Sequence, residues 1–97
     1  MVEIRWSIDA YEDLEEIYNF IKRDSAIHAE SVKFGIINKI EILSKFPRIG
    51  SPVKELLPER IRMILYFPYR IYYEFKNEII EVIRILHGSR ELKLYKK

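Results

Sequence analysis

The hydrophobic residues of this chain change their spacing part-way along the sequence, and that change limits the folds open to it. Up to Lys45 they recur every three or four residues, which places them on one face of an α-helix. Beyond Pro58 they recur every second residue, the spacing of a β-strand. Helices followed by a run of strands predict an α+β domain with the helices on one face of a sheet. A chain of 97 residues forms one hydrophobic core, so we predict a single domain over residues 1–97.

The N-terminal segment predicts a strand and then a helix. Residues 2–6 are rich in β-forming side chains and suit a short strand. Ser7 or Asp9 can cap the helix that follows, because either side chain can accept a hydrogen bond from a free backbone N–H of the first turn. The helix ends near Lys22. Its inward-facing stripe is predicted to consist of Ala10, Leu14, Ile17 and Ile21.

A second helix is predicted from about Ser25 to about Lys45. Pro47 ends it, since the residue before a proline is disfavoured in helical backbone. The short connection between the two helices predicts an antiparallel two-helix hairpin. The stripe of the second helix is predicted to consist of Ala29, Val32, Ile36, Ile40 and Leu43, with Ile37 widening it.

The second half of the sequence predicts a loop, three strands and a tail. Residues 47–52 contain two prolines and a glycine and form the clearest loop. Strands over residues 60–66, 69–76 and 79–86 are separated by tight turns and predict a three-stranded antiparallel meander. The third is apolar on both faces and is expected inside the sheet. With the N-terminal strand they would make a four-stranded antiparallel-type sheet, followed by a short basic tail over residues 89–97.

Composition excludes some chemistry and leaves the type of partner open. The sequence has no cysteine, only two distant histidines and no glycine-rich phosphate loop, so we expect neither a metal nor another cofactor. No apolar run approaches the roughly 18 residues of a membrane span, and the N-terminus does not resemble a signal peptide, so we predict a cytoplasmic protein without a membrane partner. Residues 1–59 carry a net charge of −3 and residues 60–97 a net charge of +5. This asymmetry fits an acidic or phosphate-rich partner, although solvated charge on both halves is the alternative.

Several short segments, taken in their order and spacing, resemble the RelE/ParE superfamily over nearly the whole chain. The segments are Ile4-Arg-Trp-Ser7, Ala10-Tyr-Glu-Asp-Leu14, Pro47-Arg-Ile-Gly50, Ile61-Arg62, Tyr69-Arg-Ile-Tyr-Tyr73 and Ile83-Arg-Ile-Leu-His-Gly-Ser-Arg90. The resemblance implies the toxin of a type II toxin–antitoxin pair of the plasmid-stabilization kind, neutralised by an antitoxin protein from an adjacent gene. It implies two possible targets as well. RelE-like members cleave mRNA on the ribosome, whereas ParE-like members poison DNA gyrase.

An RNA-cleaving member would be a metal-independent endoribonuclease, which needs an acid, a base and cations around the reacting phosphate. Arg70 matches the arginine of the RelE-like Tyr-Arg-Ile strand, and Arg62 would join it if the strands pair in the expected register. His87 could act as acid or base, and Arg90 could bind phosphate. Tyr95 lies where RelE-like enzymes place a tail tyrosine. Each residue has a structural alternative, such as a solvated sheet arginine or a histidine that caps a strand.

Two departures from the RelE-like pattern favour the ParE-like function. RelE-like enzymes carry paired lysines before the meander, whereas here Lys54 is followed by Glu55. The segment 87–90 also resembles the strand-end motif of ParE-like toxins. Gyrase poisoning is therefore the preferred hypothesis, mRNA cleavage is the alternative, and an inactive antitoxin-binding module is a second alternative. The candidate surface for nucleic acid or another target comprises Arg60, Arg62, Arg70, Arg84, Arg90 and Lys93.

Overall fold

The computed structural model describes residues 2–53 and 60–90. The predicted α+β order is confirmed, with a strand, two helices and then a meander. The elements are β1 Glu3–Trp6, α1 Ile8–Lys22, α2 Ala26–Glu41, a 3₁₀ turn Ile42–Ser44, β2 Ser51–Pro52, β3 Ile61–Tyr66, β4 Tyr69–Lys76 and β5 Ile79–His87. The predicted basic tail lies mostly outside the described residues, and so do the lysine and glutamate at positions 54 and 55.

The helices begin at serine caps and bury the predicted stripes. Ser7, rather than Asp9, caps α1, because its Oγ accepts a hydrogen bond from the Ala10 N–H at 3.0 Å. Ser25 caps α2 in the same way. α2 ends at Glu41, four residues before the predicted end, since the chain tightens into the 3₁₀ turn. The buried stripe residues are Ala10, Leu14, Ala29, Val32, Ile36, Ile40 and Leu43.

The sheet differs from the prediction in two respects. The described strands are arranged in the order β1-β5-β4-β3-β2, and β1 runs parallel to β5. An antiparallel-type sheet is therefore wrong at this edge, because the helical pair carries the chain across the sheet and the meander returns β5 beside β1 in the same direction. The described residues form five strands instead of four, since Ser51 and Pro52 of the predicted loop pair with β3. Proline is tolerated there because β2 is an edge strand.

Both faces of the sheet bury apolar side chains. The face covered by α1 and α2 includes Ile71, Tyr73 and Ile85 in the main core. The opposite face carries a smaller buried cluster of Ile61, Tyr72 and Leu86. β5 contributes to both clusters, which confirms its predicted interior position. In the part of the chain that is described, no helix is both long and apolar enough to cross a membrane.

Candidate functional site

The N-terminus of α1 covers an edge of β5 that no strand occupies. β1 pairs with β5 only as far as Val82. Immediately afterwards the Ser7 N–H donates to the Val82 carbonyl at 2.9 Å, and the Ser7 hydroxyl donates to the Ile83 carbonyl at 2.8 Å. Six residues further along, the Asp13 carboxylate accepts the Ile85 N–H at 2.9 Å. Ser7 and Asp13 thus complete the hydrogen bonding of a strand edge that would otherwise be open.

The same carboxylate binds Arg84, one of the six predicted target-binding cations. The Arg84 guanidinium donates from Nε to Asp13 Oδ2 at 2.7 Å and from its terminal nitrogen to Oδ1 at 2.9 Å. The side chain of Asp13 is only 8% exposed and that of Arg84 24%. This bidentate hydrogen bonding raises the pKa of Arg84 above its ordinary value. Arg84 therefore joins helix to sheet in this structure.

Arg62 and Tyr73 hold the proline-containing loop against the helix-covered face. Arg62 donates to the carbonyl of Gly50 at 2.7 Å and to that of Arg48 at 3.2 Å. The Tyr73 hydroxyl donates to the Pro47 carbonyl at 2.8 Å and accepts the Gly50 N–H at 2.9 Å. Burial raises the pKa of Tyr73, and the Gly50 hydrogen bond offsets part of that increase.

Arg60 also has a partner within the fold. Its Nε lies 2.5 Å from a carboxylate oxygen of Glu74 on the neighbouring strand. Three predicted target-binding arginines thus make bonds to other parts of the fold. Lys93 and Tyr95 lie outside the described residues.

The remaining described candidates lie at one end of the sheet, where the β3–β4 turn meets the end of β5. The Gly88 N–H donates to the Pro68 carbonyl at 2.7 Å and joins the two segments. We call the surface formed by Phe67, Arg70, Gly88 and Arg90 the turn end. Arg70 and Arg90 are exposed, and neither forms a salt bridge with any residue in the described ranges.

Comparison with known proteins shows which protein family this chain belongs to. Residues 4–92 match the family model of the ParE toxin of the type II toxin–antitoxin system parDE. The chain belongs to the ParE toxin family. A putative toxin, Y4kP of Sinorhizobium fredii (strain NBRC 101917 / NGR234), is 26% identical over 88 residues, covering 91% of this chain and 90% of that protein. The predicted membership of the RelE/ParE superfamily is confirmed.

Solved structures of this fold come from both branches of the superfamily. A chain of the chromosomal ParDE system of P. aeruginosa is similar with a TM-score of 0.74 and 20% identity, covering 90% of this ParE-family chain and 96% of that one. A chain of the RelBE2 toxin–antitoxin complex of Mycobacterium tuberculosis is similar with a TM-score of 0.66 and 19% identity, covering 89% and 96%. At these identities the similarity shows the fold and leaves the target open.

The fold of this ParE-family chain separates the residues proposed for RNA cleavage. Arg70 pairs across the sheet with Leu86, on the face away from the helices. His87 pairs with Tyr69, which packs against the main core on the helix-covered face. Arg62 also lies on that face, opposite Tyr73, so the expectation that it joins Arg70 is wrong. The side chains along a strand alternate between faces, and this alternation separates Arg70 from the other two candidates.

His87 is held at the end of its strand by contacts within the fold. The Ser89 N–H donates to Nδ1 at 3.1 Å, and the Ser89 hydroxyl lies 2.9 Å from the same nitrogen. Its ring also meets Tyr69 edge-on, with the ring centres 5.7 Å apart. These contacts agree with the structural alternative of a histidine that caps the strand end.

Two important residues of this ParE-family chain were not singled out from the sequence. Asp13 is one of several acidic residues in α1, and only its burial in the folded structure distinguishes it from the others. Phe67 is 83% exposed in the turn between β3 and β4. A large apolar residue placed in a two-residue turn is a signal that the sequence does contain, since turns favour small and polar residues.

Proposed function

We propose that this ParE-family toxin inhibits DNA gyrase through surface contacts and does not cleave RNA. The observation that carries the proposal is the separation of Arg70 from His87 and Arg62 on opposite faces of the sheet. RNA cleavage needs a proton-transfer group within hydrogen-bonding reach of a phosphate that cations hold. Arg70 lies on the other face from His87, and Arg62 on the face of His87 is bonded to the carbonyls of Arg48 and Gly50. Binding to a protein target has no such requirement.

The test is a gyrase assay with the purified chain. We expect added toxin to stop ATP-dependent supercoiling of relaxed plasmid and to leave plasmid broken by covalently attached gyrase after detergent and protease treatment. A His87→Ala variant should inhibit as well as the native chain, because the contacts of the His87 ring with described residues are to Ser89 at its own strand end and to Tyr69. Cleavage of mRNA in a reconstituted translation reaction, lost in His87→Ala, would instead establish the RelE-like alternative. Activity in neither assay would favour the inactive antitoxin-binding module.

We further propose that a cognate antitoxin from an adjacent gene binds this toxin in the cytoplasm. The similar solved chains from P. aeruginosa and M. tuberculosis come from toxin–antitoxin systems, which supports such a partner. The edge of β3 offers a surface for it. β2 pairs only with Arg62 and Met63, so Leu65 follows on an edge that β2 does not cover, and its side chain is 49% exposed. Beside it lies a groove of about 440 Å³ lined in part by Ile42 and Ile49.

An extended antitoxin segment could add to this edge as a strand and place apolar side chains in the groove. Leu65→Asp should reduce antitoxin binding by at least tenfold in a pull-down or calorimetric titration, because it introduces a charge beside the added strand. Ile27→Asp, an equally polar change at an exposed residue of α2, should leave binding unchanged. Equal effects of the two substitutions would place the antitoxin elsewhere.

A further inference from the structure

The turn end carries an aromatic ring that the gyrase proposal does not explain. Phe67 is 83% exposed, and among the described residues no aromatic ring or cation stacks on it. Phe20 on α1 differs, because the Arg23 guanidinium lies over its ring at 5.9 Å. The ring of Phe67 thus remains available to stack on a flat partner.

The described charged residues around Phe67 are positive. Residues 61–73 and 85–90, which form β3, most of β4 and the end of β5, contain no aspartate or glutamate. Arg70 and Arg90 are exposed there and have no carboxylate partner within the part of the chain that the structure describes. Arg60, Arg62 and Arg84 are engaged in the fold. Arg70 and Arg90 therefore place two unpaired positive charges at the same end of the sheet as the exposed ring, where they attract an anion.

Gly88 lies close to the β3–β4 turn and to Arg70. A β-carbon at Gly88 would lie 3.9 Å from Arg70 Nε and 3.1 Å from the Pro68 carbonyl oxygen. The hydrogen bond from Gly88 to Pro68, together with one of 2.9 Å from the Arg90 N–H to the His87 carbonyl, fixes the surrounding backbone. A surface held in this way loses little conformational entropy when it binds a ligand.

We propose that the turn end binds single-stranded nucleic acid, with a base stacked on Phe67 and neighbouring phosphates bound by Arg70 and Arg90. An exposed aromatic ring next to unpaired cations matches the alternation of base and phosphate along a single strand. The planar guanidinium can bind two phosphate oxygens at once. A duplex offers the phosphates but keeps its base faces stacked inside. This binding goes beyond gyrase inhibition and does not depend on it.

The experiment is a fluorescence anisotropy titration of the full-length chain into labelled oligonucleotides of about ten nucleotides, a length within the range of single-strand binding sites. The probes are an oligothymidylate, an oligouridylate and a DNA duplex of equal length. We expect at least one single strand to bind more tightly than the duplex. Phe67→Leu should weaken that binding roughly tenfold, and Phe67→Tyr should retain it, since the ring survives. Arg70→Gln should weaken binding and lower the salt dependence by about one ion.

Matched controls come from Phe20 of α1 and from Arg23, which directly follows the helix. Phe20→Leu and Arg23→Gln remove the same chemical groups far from the turn end along the chain and should leave binding unchanged. Thermal unfolding of each variant checks that it is folded. Retained binding by Phe67→Tyr would show that the nucleic acid contacts the aromatic ring. Binding to either single strand that depends on Phe67 supports the proposal, and the tighter strand identifies the ligand as DNA or RNA. The proposal is overturned if neither strand binds, or if Phe67→Leu and Phe20→Leu bind alike.

Discussion

The Asp13 carboxylate accepts hydrogen bonds from two consecutive residues of β5, the Arg84 guanidinium and the Ile85 N–H. Asp13 is therefore the point at which α1 is fastened to the edge of the sheet. A buried carboxylate of this kind is maintained only because its partners compensate for the water it has lost.

Replacing Asp13 by alanine should be strongly destabilising. The change leaves the Arg84 guanidinium partly buried without a counter-ion and the Ile85 N–H without an acceptor, which costs about 3 kcal/mol. Urea unfolding of Asp13→Ala beside Glu12→Ala, an exposed carboxylate on the same helix, measures the difference. Similar stabilities for the two variants would show that the ion pair contributes nothing to folding. Asp13→Asn should lose less than Asp13→Ala, because the amide oxygen can still accept the Ile85 N–H.

At the scale of whole elements, the contact between α2 and β3 depends on a glycine within the helix. Gly35 faces the ring of Tyr66, and a β-carbon there would lie 2.7 Å from the ring carbon Cε2, closer than real carbon contacts allow. Glycine normally weakens a helix interior by about 1 kcal/mol relative to alanine. Glycine is nevertheless suited to this position, because the absence of a side chain leaves room for the Tyr66 ring.

The sign of the Gly35→Ala effect should therefore depend on residue 66. In the native background alanine should destabilise the fold, since the Tyr66 ring must move. In a Tyr66→Ala background the same change should stabilise it by about 1 kcal/mol, because only the helix preference remains. The free energies of unfolding of the four chains form a double-mutant cycle that measures this. The same sign in both backgrounds would rule out the steric explanation.

At the scale of the whole molecule, the two ends of the described chain meet in the sheet. β1 pairs with β5, the first strand with the last, so this edge forms only when residues about 76 positions apart come together. The loop at residues 47–50 is fixed in a similarly non-local way by Tyr73 and Arg62. Global unfolding exposes Tyr73 to water.

Stability should consequently fall at alkaline pH. Burial raises the pKa of Tyr73 in the folded chain above the 10.0 of an exposed tyrosine, and burial also raises the pKa of Tyr69. The folded state then retains protons that the unfolded state releases, so the stabilisation is present below pH 10 and is lost as the pH rises through the folded-state pKa.

The Tyr73→Phe variant isolates this contribution. At neutral pH it should be about 1–2 kcal/mol less stable, since the loop loses two hydrogen bonds. Above pH 10 its stability should decline less steeply than that of the native chain. Denaturant unfolding at several pH values, with Tyr11→Phe at an exposed position as the control, tests this. Parallel declines of the native and Tyr73→Phe chains would assign the alkaline loss to other groups.

The order of elements and the identity of the core could be predicted from the sequence, because both follow from local spacing. The stripes of α1 and α2 and the alternation in β4 depend only on the periods of helix and strand. The resemblance of the short segments, in their order, was enough to indicate the RelE/ParE superfamily. The exposed position of Phe67, in a turn between two strands, could have been predicted from the same local spacing.

Strand direction, register and the pairing of charges were decided by the tertiary structure, because each depends on residues distant in the chain. Nothing in the sequence distinguishes the six candidate cations from one another. Only the fold pairs Arg84 with Asp13 and Arg60 with Glu74. It also places Arg62 against the loop carbonyls. Arg70 and His87 are also set on opposite faces by cross-strand register, which no local pattern encodes. The sequence by itself thus determined which elements form and what they bury, and the fold decided which charged side chains remain available to a partner.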